Sequence, residues 1–296
     1  MQEKYSFTPF TIRCGQRLLT YEHPAVMGIL NVTPDSFYDG GRYVSHDKAV
    51  AHAVEMVSDG ADIIDIGVVS TRPGAVLLPT DEEAPRLAGV VAAVRRELPD
   101  AVISVDTCYS LPARAAVEAG ADIVNDISSG AFDPDMFKTV AELHTPYVLM
   151  LNPDATPDNP AGIPPQAASG EVVESPLQTA VRTLSELESR LRLMGVSDVI
   201  IDLGFGFSKT LDQNYSLMAH LKEFRTLFPN NPLLVAISRK SMIYKLLKTT
   251  PDDAFVGTVA LHAVALQAGA QMLRVHDVRA ARQTIAVLEH LDKQKS

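Results

Sequence analysis

The chain has 296 residues, 46% hydrophobic and 21% charged, with a formal net charge of −10. That balance excludes a disordered chain, and the acidic charge argues against general nucleic-acid binding, which needs a basic face. Two cysteines, Cys14 and Cys108, with no CxxC and no Cys/His cluster, exclude a disulfide framework and a zinc site. The opening MQEKYSFTPF lacks an apolar core of signal-peptide length, and no window approaches membrane-spanning length. A cytoplasmic protein with no membrane partner is expected.

In chain order, FTPFTIRCGQRLLTYE alternates around a Cys-Gly turn and predicts a β-hairpin. Next comes GILNVTPDSFYDGG, an apolar run that ends on Asn31 and feeds a polar loop. A pattern then recurs: GADIIDIG, GADIVNDIS, GVSDVIIDLG and GAQMLRVHD. Each is a glycine, a polar step, an apolar β-branched run and a polar terminus. Each follows a helical stretch such as KAVAHAVEMVSD or LSELESRLRLM. A glycine after a helix is a C-cap, and a run that is apolar throughout is a strand buried on both faces. The strands expected are Val26–Asn31, Ile63–Gly67, Val102–Asp106, Ile123–Asp126, Tyr147–Leu151, Val199–Asp202, Leu233–Ile237 and Met272–Val275. Eight strands alternating with helices predict an α/β chain of the (β/α)8 TIM-barrel class, its bottom closed by the hairpin of residues 1–24. No GxGxxG follows the first strand, which argues against a dinucleotide-binding sheet. A single domain spanning residues 1–296 is expected. Residues 152–173, rich in Pro, Gly and Ala, read as a long loop after the fifth barrel strand, either a surface insertion or a substrate-facing lid.

Active sites of such barrels lie where strands end. The strand ends here carry Asn31, Asp65, Asp106, Asn125, Asp126, Asp202, Lys240, Arg274, His276 and Asp277. One such Asp is easily a strand terminator or helix cap. The collection is not, because burying so many polar groups is costly unless they meet each other or a ligand. Carboxylates beside amides suit a flat heterocycle with several N–H donors. Arg72 in STRPG and Lys240 in SRKS, with Arg274, suit an anion or a ring face. GFGFSKT does not have the spacing of a phosphate-binding P-loop. Its glycines let backbone approach a planar ligand, with Phe205 or Phe207 as a wall.

Together these motifs resemble the dihydropteroate synthase family of pterin-binding enzymes. The matching pieces run in order over nearly the whole chain: MGILNVTPDSF.DGG, GADIIDIG..STRPGA, ISVDT, AGADIVNDIS, IIDLGFGFSKTLDQN, LLVAISRKSMI and RVHDV. The resemblance implies a transferase of folate biosynthesis. It would condense 6-hydroxymethyl-7,8-dihydropterin diphosphate with p-aminobenzoate, with Mg²⁺ as cofactor and sulfonamides as competitors. The implied partners are these small molecules and a second copy in a homodimer packed through late outer helices, to which the apolar run Val256 to Ala268 is suited. By position, the resemblance implies that Asp202, Asn125 and Asp106 grip the pterin, and that Lys240 reaches it and lines the p-aminobenzoate site. Arg274 would lie against the pterin face and reach the diphosphate, with His276 and Arg72 as anion contacts. Asn31 would be a Mg²⁺ ligand, and Met150 and Phe207 walls of the pocket. Thr71, Pro73, Phe37 and Ser241 would surround p-aminobenzoate, with the Asp39 carboxylate near the metal or the amine. The catalytic residues so implied are Lys240, Asp39, Asp106 and Arg274. Residues 33–41 would act as a lid hinged at Gly40-Gly41.

The chain departs from the family pattern in two places. LMLNPD puts Leu151 and Pro153 where the family commonly has His and Arg, and GVVS puts Val68 and Val69 where Gly-Glu is frequent. Two other readings are a corrinoid methyltransferase-type barrel, which has no need of Asn31 or STRPG, and a non-catalytic pterin-binding paralogue.

Overall fold

The computed structural model describes residues 7–32, 42–69, 78–162 and 175–294, with side chains of the first helix from residue 46 onward. A hairpin comes first, β1 (Phe10–Cys14) paired antiparallel with β2 (Arg17–Tyr21). Eight parallel strands follow: β3 (Ala25–Asn31), β4 (Ile63–Gly67), β5 (Val102–Asp106), β6 (Ile123–Asp126), β7 (Tyr147–Met150), β8 (Val199–Asp202), β9 (Leu233–Val235) and β10 (Met272–Val275). They close into a barrel in chain order, β10 pairing with both β9 and β3. The helices are α1 (Arg42–Ser58), α2 (Thr80–Glu97), α3 (Ser110–Glu118), α4 (Met136–Leu143), α5 (Pro176–Leu193), α6 (Leu211–Ala219), α7 (Leu221–Leu227), α8 (Ser241–Leu247), α9 (Phe255–Gln267) and α10 (Val278–Lys293). None of the described helices is long and apolar enough to cross a membrane.

The pleat decides what each strand residue faces. Alternate side chains point into the barrel or outward to the helices. Val26, Ile64, Val124, Leu149, Ile201 and Leu273 join the apolar layer under the helices. Met27, Ile63, Ile123, Val148, Ile200 and Met272 fill the inside, in one cluster with Phe10, Ile12 and Cys14. The hairpin therefore plugs the barrel floor, as its alternation predicts. Ile12 is fully buried there, which contributes about 1.5–3 kcal/mol for a side chain of its size.

The recurring Gly-Ala-Asp step is a floor device. Gly120 sits at φ +114°, a conformation open to glycine, and ends α3 with its N–H on Val117 O at 3.0 Å. The Asp that follows turns toward the preceding strand. Asp122 Oδ2 accepts the Ile103 N–H at 2.9 Å and Arg95 at 2.6 Å, and Oδ1 accepts Arg17 of the hairpin at 2.7 Å. Asp62 Oδ2 does the same one repeat earlier, taking the Val26 N–H at 2.7 Å and the Arg282 guanidinium.

Strand limits match expectation within a residue except at β9, which stops at Val235 rather than Ile237. The ladder ends because the His276 N–H bonds the Ser238 hydroxyl at 3.2 Å, and the chain then turns through Arg239 at φ +55°.

Candidate active site

At the opposite end the inward positions are polar. The next inward residue after Ile63 is Asp65, after Ile123 it is Asn125, after Ile200 it is Asp202, and after Met272 it is Arg274. Register lays them side by side: Asp65 pairs with Ser104, Asp106 with Asn125, and Met150 with Asp202. The parity that turns these inward turns Asp126 outward. Its carboxylate takes the Ser128 and Gly130 N–H groups and the Tyr147 hydroxyl, holding the loop after β6. Asp277 also leaves the set and pairs with Arg239 at 2.8 Å.

The centre is an ion cluster. Arg274 donates through Nε to Asp65 Oδ2 at 2.6 Å and through a terminal nitrogen to Asp106 Oδ2 at 2.7 Å. Burial opposes its charge, and the two carboxylates more than offset that, holding its pKa above the usual range. Asn125 Nδ2 donates to the same Asp65 oxygen at 3.0 Å. Asp202 Oδ1 accepts the Gly204 N–H at 2.8 Å, and burial raises its pKa. Burial also pushes Asp106 up to about 6, against the pull of Arg274. Lys240 is pulled down to about 8 by burial, with Asp202 acting the other way. Its Nζ donates to Phe205 O at 2.8 Å and lies 4.5 Å from the centre of the Phe207 ring.

Among the described residues, Asp106 Oδ1, Asn125 Oδ1 and Asp202 Oδ2 accept no hydrogen bond. Asp65 Oδ1 and Ser104 Oγ are buried with no partner among the described residues. Lys240 has two N–H donors left after Phe205. Beside these groups stands an apolar wall of Cys108, Ile127 and Met150, backed by Tyr109, Phe132 and Phe207. Gly204, at φ +59°, passes so close to the Leu151 carbonyl that no side chain could stand there.

Asn31 ends β3 beside Gly67, where an added Cβ would lie 3.4 Å from its Oδ1. Ser241 is the first residue of α8 and half-buried. His276 is exposed past the end of β10, its Nδ1 3.0 Å from Ser238 Oγ. Phe37, Asp39, Thr71, Arg72, Pro73 and the expected lid of residues 33–41 lie outside the described residues. So does the 163–173 part of the long loop; its 152–162 part is a tight turn, with Thr156 bridged to Asn159 and Asn152 donating to Ile127 O and Pro160 O.

The departures fall on packing. Leu151 and Val68 are buried in the layer between strands and helices, and Pro153 is exposed. Lys209, half-buried, and the buried Glu83 are ionisable groups near the site that were not singled out from the sequence. Burial raises Glu83 to about 7, opposed by the Thr107 hydroxyl that donates to it at 2.5 Å. The signal for Glu83 was faint, one carboxylate among three in the first turn of α2.

A parallel barrel with a carboxylate–guanidinium cluster, open acceptors and a lysine at its mouth defines an enzyme built to hold a flat, polar heterocycle. The model of the pterin binding enzyme family matches residues 27–276. The dihydropteroate synthase of Bacillus subtilis is 42% identical over 266 residues, 87% of this chain and 85% of that protein. The solved structure of Xanthomonas albilineans dihydropteroate synthase with 4-aminobenzoic acid superposes with a TM-score of 0.83 at 36% identity, covering 96% of this chain and 98% of that one. The same enzyme in complex with 7,8-dihydropteroate gives 0.80 at 34%, covering 95% and 98%. The chain belongs to the pterin-binding enzyme family, among the dihydropteroate synthases.

Proposed function

We propose that the chain condenses 6-hydroxymethyl-7,8-dihydropterin diphosphate with p-aminobenzoate, releasing diphosphate and forming 7,8-dihydropteroate. One observation carries this reading. The open oxygens of Asp106, Asn125 and Asp202 and the remaining N–H groups of Lys240 complement an amino-pyrimidinone edge, which offers several N–H donors beside one carbonyl. Asp202 accepts from the amino-pyrimidinone edge with Asn125 beside it, and Asp106 takes a ring N–H. Lys240 donates to the pterin and faces the amine-binding side with Ser241. Arg274, pinned by two carboxylates, presents its plane to the ring and its charge to the diphosphate. Met150 and Phe207 close the apolar wall.

The aromatic amine attacks the pterin methylene carbon; the C–O bond to diphosphate breaks with its electron pair leaving on oxygen, and the amine gives up a proton. Arg274 and His276, with Arg72, stabilise the charge of the leaving group. A magnesium ion suits the oxygen of Asn31, because Mg²⁺ keeps several waters and is bound through few protein ligands plus substrate phosphates. When bound, the ion would share the diphosphate charge and improve it as a leaving group. Phe37, Asp39, Thr71 and Pro73 are assigned to the amine side, with residues 33–41 as its cover.

The exposed apolar residues of α8 to α10 (Leu246, Leu247, Val256, Val264, Val287 and Leu291) support a homodimer through this face. The two buried free thiols support a reducing cytoplasm. A single domain over residues 1–296 completes the reading.

The test mixes pure protein with dihydropterin diphosphate, Mg²⁺ and p-aminobenzoate and follows diphosphate. Release that requires the amine is expected. Pterin binding with no release would overturn catalysis in favour of a binding role, and methyl transfer to a corrinoid would replace the reaction.

A further inference from the structure

The Gly204–Lys209 segment between β8 and α6 forms one side of the pocket without a regular element of its own. Lys209 turns back beneath it. Its Nζ donates to Leu151 O at 2.9 Å, to Gly204 O at 3.0 Å and to Phe207 O at 3.0 Å. An ammonium has three N–H donors and a neutral amine only two. Only the charged form can donate to all three carbonyls at once; Gly204 O also takes the Phe207 N–H at 3.0 Å. Among the described residues no carboxylate comes within ion-pair distance of Lys209; its contacts are backbone oxygens, as in a monovalent-cation site. Burial pulls Lys209 down to about 7, with Asp202 acting the other way.

What these carbonyls hold is the pterin side of the pocket. Gly204 supplies the N–H on Asp202 Oδ1, Phe205 supplies the carbonyl that anchors Lys240, and the Phe207 ring lies under the Lys240 ammonium. Ser208, at φ +44°, bonds the Asn152 amide oxygen and donates its N–H to Ala161 O at 2.9 Å, so the segment also leans on the loop after β7. Leu151 O belongs to that second loop. Like Ser208, Lys209 ties the two loops together, and it does so through a single ammonium.

We infer that Lys209 is a positioning residue of the pterin pocket: its ammonium acts as a built-in cation that gathers the Leu151, Gly204 and Phe207 carbonyls and so sets Asp202, Phe207 and Lys240 for the ligand. This rests on the pocket taking a pterin. A lysine that served only to stabilise the fold would affect both substrates and the melting transition alike.

Lys209→Met and Lys209→Ala of the full chain separate the two. Pterin affinity is read directly by calorimetry, beside KM for each substrate and Tm. Lys209→Met is expected to weaken pterin binding and raise the pterin KM by about tenfold or more, with a smaller rise in the KM for p-aminobenzoate, whose site shares Lys240 but not Asp202. In Lys209→Ala, n-propylammonium restores pterin affinity and neutral n-propanol does not; this rescue decides the matter even if Lys209→Met fails to fold. Unchanged pterin affinity in Lys209→Met, or recovery of Lys209→Ala by the alcohol as well as the amine, overturns the inference. A parent protein that binds pterin but turns nothing over would sink the synthase activity and leave this test standing.

Discussion

The two ends of the barrel use the same residue types to opposite ends. At the floor, Asp62 and Asp122 are met by backbone N–H groups and by Arg282, Arg95 and Arg17, and the hairpin covers them. At the mouth, Asp65, Asp106 and Asp202 share one arginine, the Asn125 amide and one backbone N–H, with acceptor oxygens left over among the described residues. A carboxylate tied to a strand N–H and a guanidinium in this way serves the fold. One whose lone pairs are open is held at a cost in desolvation, which a ligand offsets. The identity of the residue does not separate the two cases; its surroundings do, backbone N–H groups and surface-side guanidinia at the floor, an open pocket at the mouth.

The sharpest way to break this contrast is at Lys240. Lys240→Ala is expected to lower kcat/KM for dihydropterin diphosphate by about 10²–10³, or ~3–4 kcal/mol, with little change in Tm. A rate within tenfold of the parent would remove Lys240 from the chemistry. Next comes Asp202→Ala, which should weaken pterin binding about 100-fold by calorimetry, because N–H donors lose a charged acceptor. Its Tm should hold or rise, since burial already disfavours the ionised carboxylate. A large loss of Tm would mean Asp202 belongs with the floor set.

Asp122→Ala is the mirror experiment. It strips Arg95 and Arg17 of their carboxylate, leaving Arg95 its bonds to the Gly120, Pro99 and Ala101 carbonyls, and should cost about 2 kcal/mol of unfolding free energy in denaturant titration. Its kcat/KM should stay within about twofold, as the mouth is untouched. Impaired catalysis with unchanged stability would reverse the roles of the two ends.

The smallest effect is in pH. The acid limb of kcat/KM should fall through a midpoint near 6 as Asp106 takes a proton, and the alkaline limb between about 7 and about 8 as Lys209 and then Lys240 lose theirs. The sign for stability follows from the same shift. Asp106 binds its proton more tightly folded than unfolded, so its contribution to stability is lost as pH rises from about 4 through about 6. Relative to Asp106→Asn, the parent should lose stability over that window; a gain would mean that Arg274 outweighs burial.

Much of this was legible in the residues. Gly-Ala-Asp followed by β-branched runs marks helix ends and strands because helix C-caps and doubly buried strands each impose local composition, and IIDIG or VIID reads as strand almost unaided. The polar strand ends were legible as a group. Which of them face the pocket was not, because both faces of a barrel strand are apolar and hydropathy carries no parity. Asn125 and Asp126 are neighbours, and only the pleat sends one to the ligand and the other to Tyr147. Lys209 was invisible for a different reason: its partners are three backbone carbonyls from two loops, and carbonyls carry no sequence signal. Leu151 and Val68, unusual against the family pattern, became ordinary once placed in the outer apolar layer.

By itself the sequence determined the order of strands and helices, the hairpin, the set of polar side chains available at the strand ends and the family to which they point, since each follows from local pattern or motif. Only the tertiary structure decided which carboxylates are satisfied, which oxygens remain open, and which lysine meets a ligand and which meets backbone. Those outcomes depend on register and closure, which bring residues more than 200 positions apart, such as Asp65 and Arg274, within 2.6 Å.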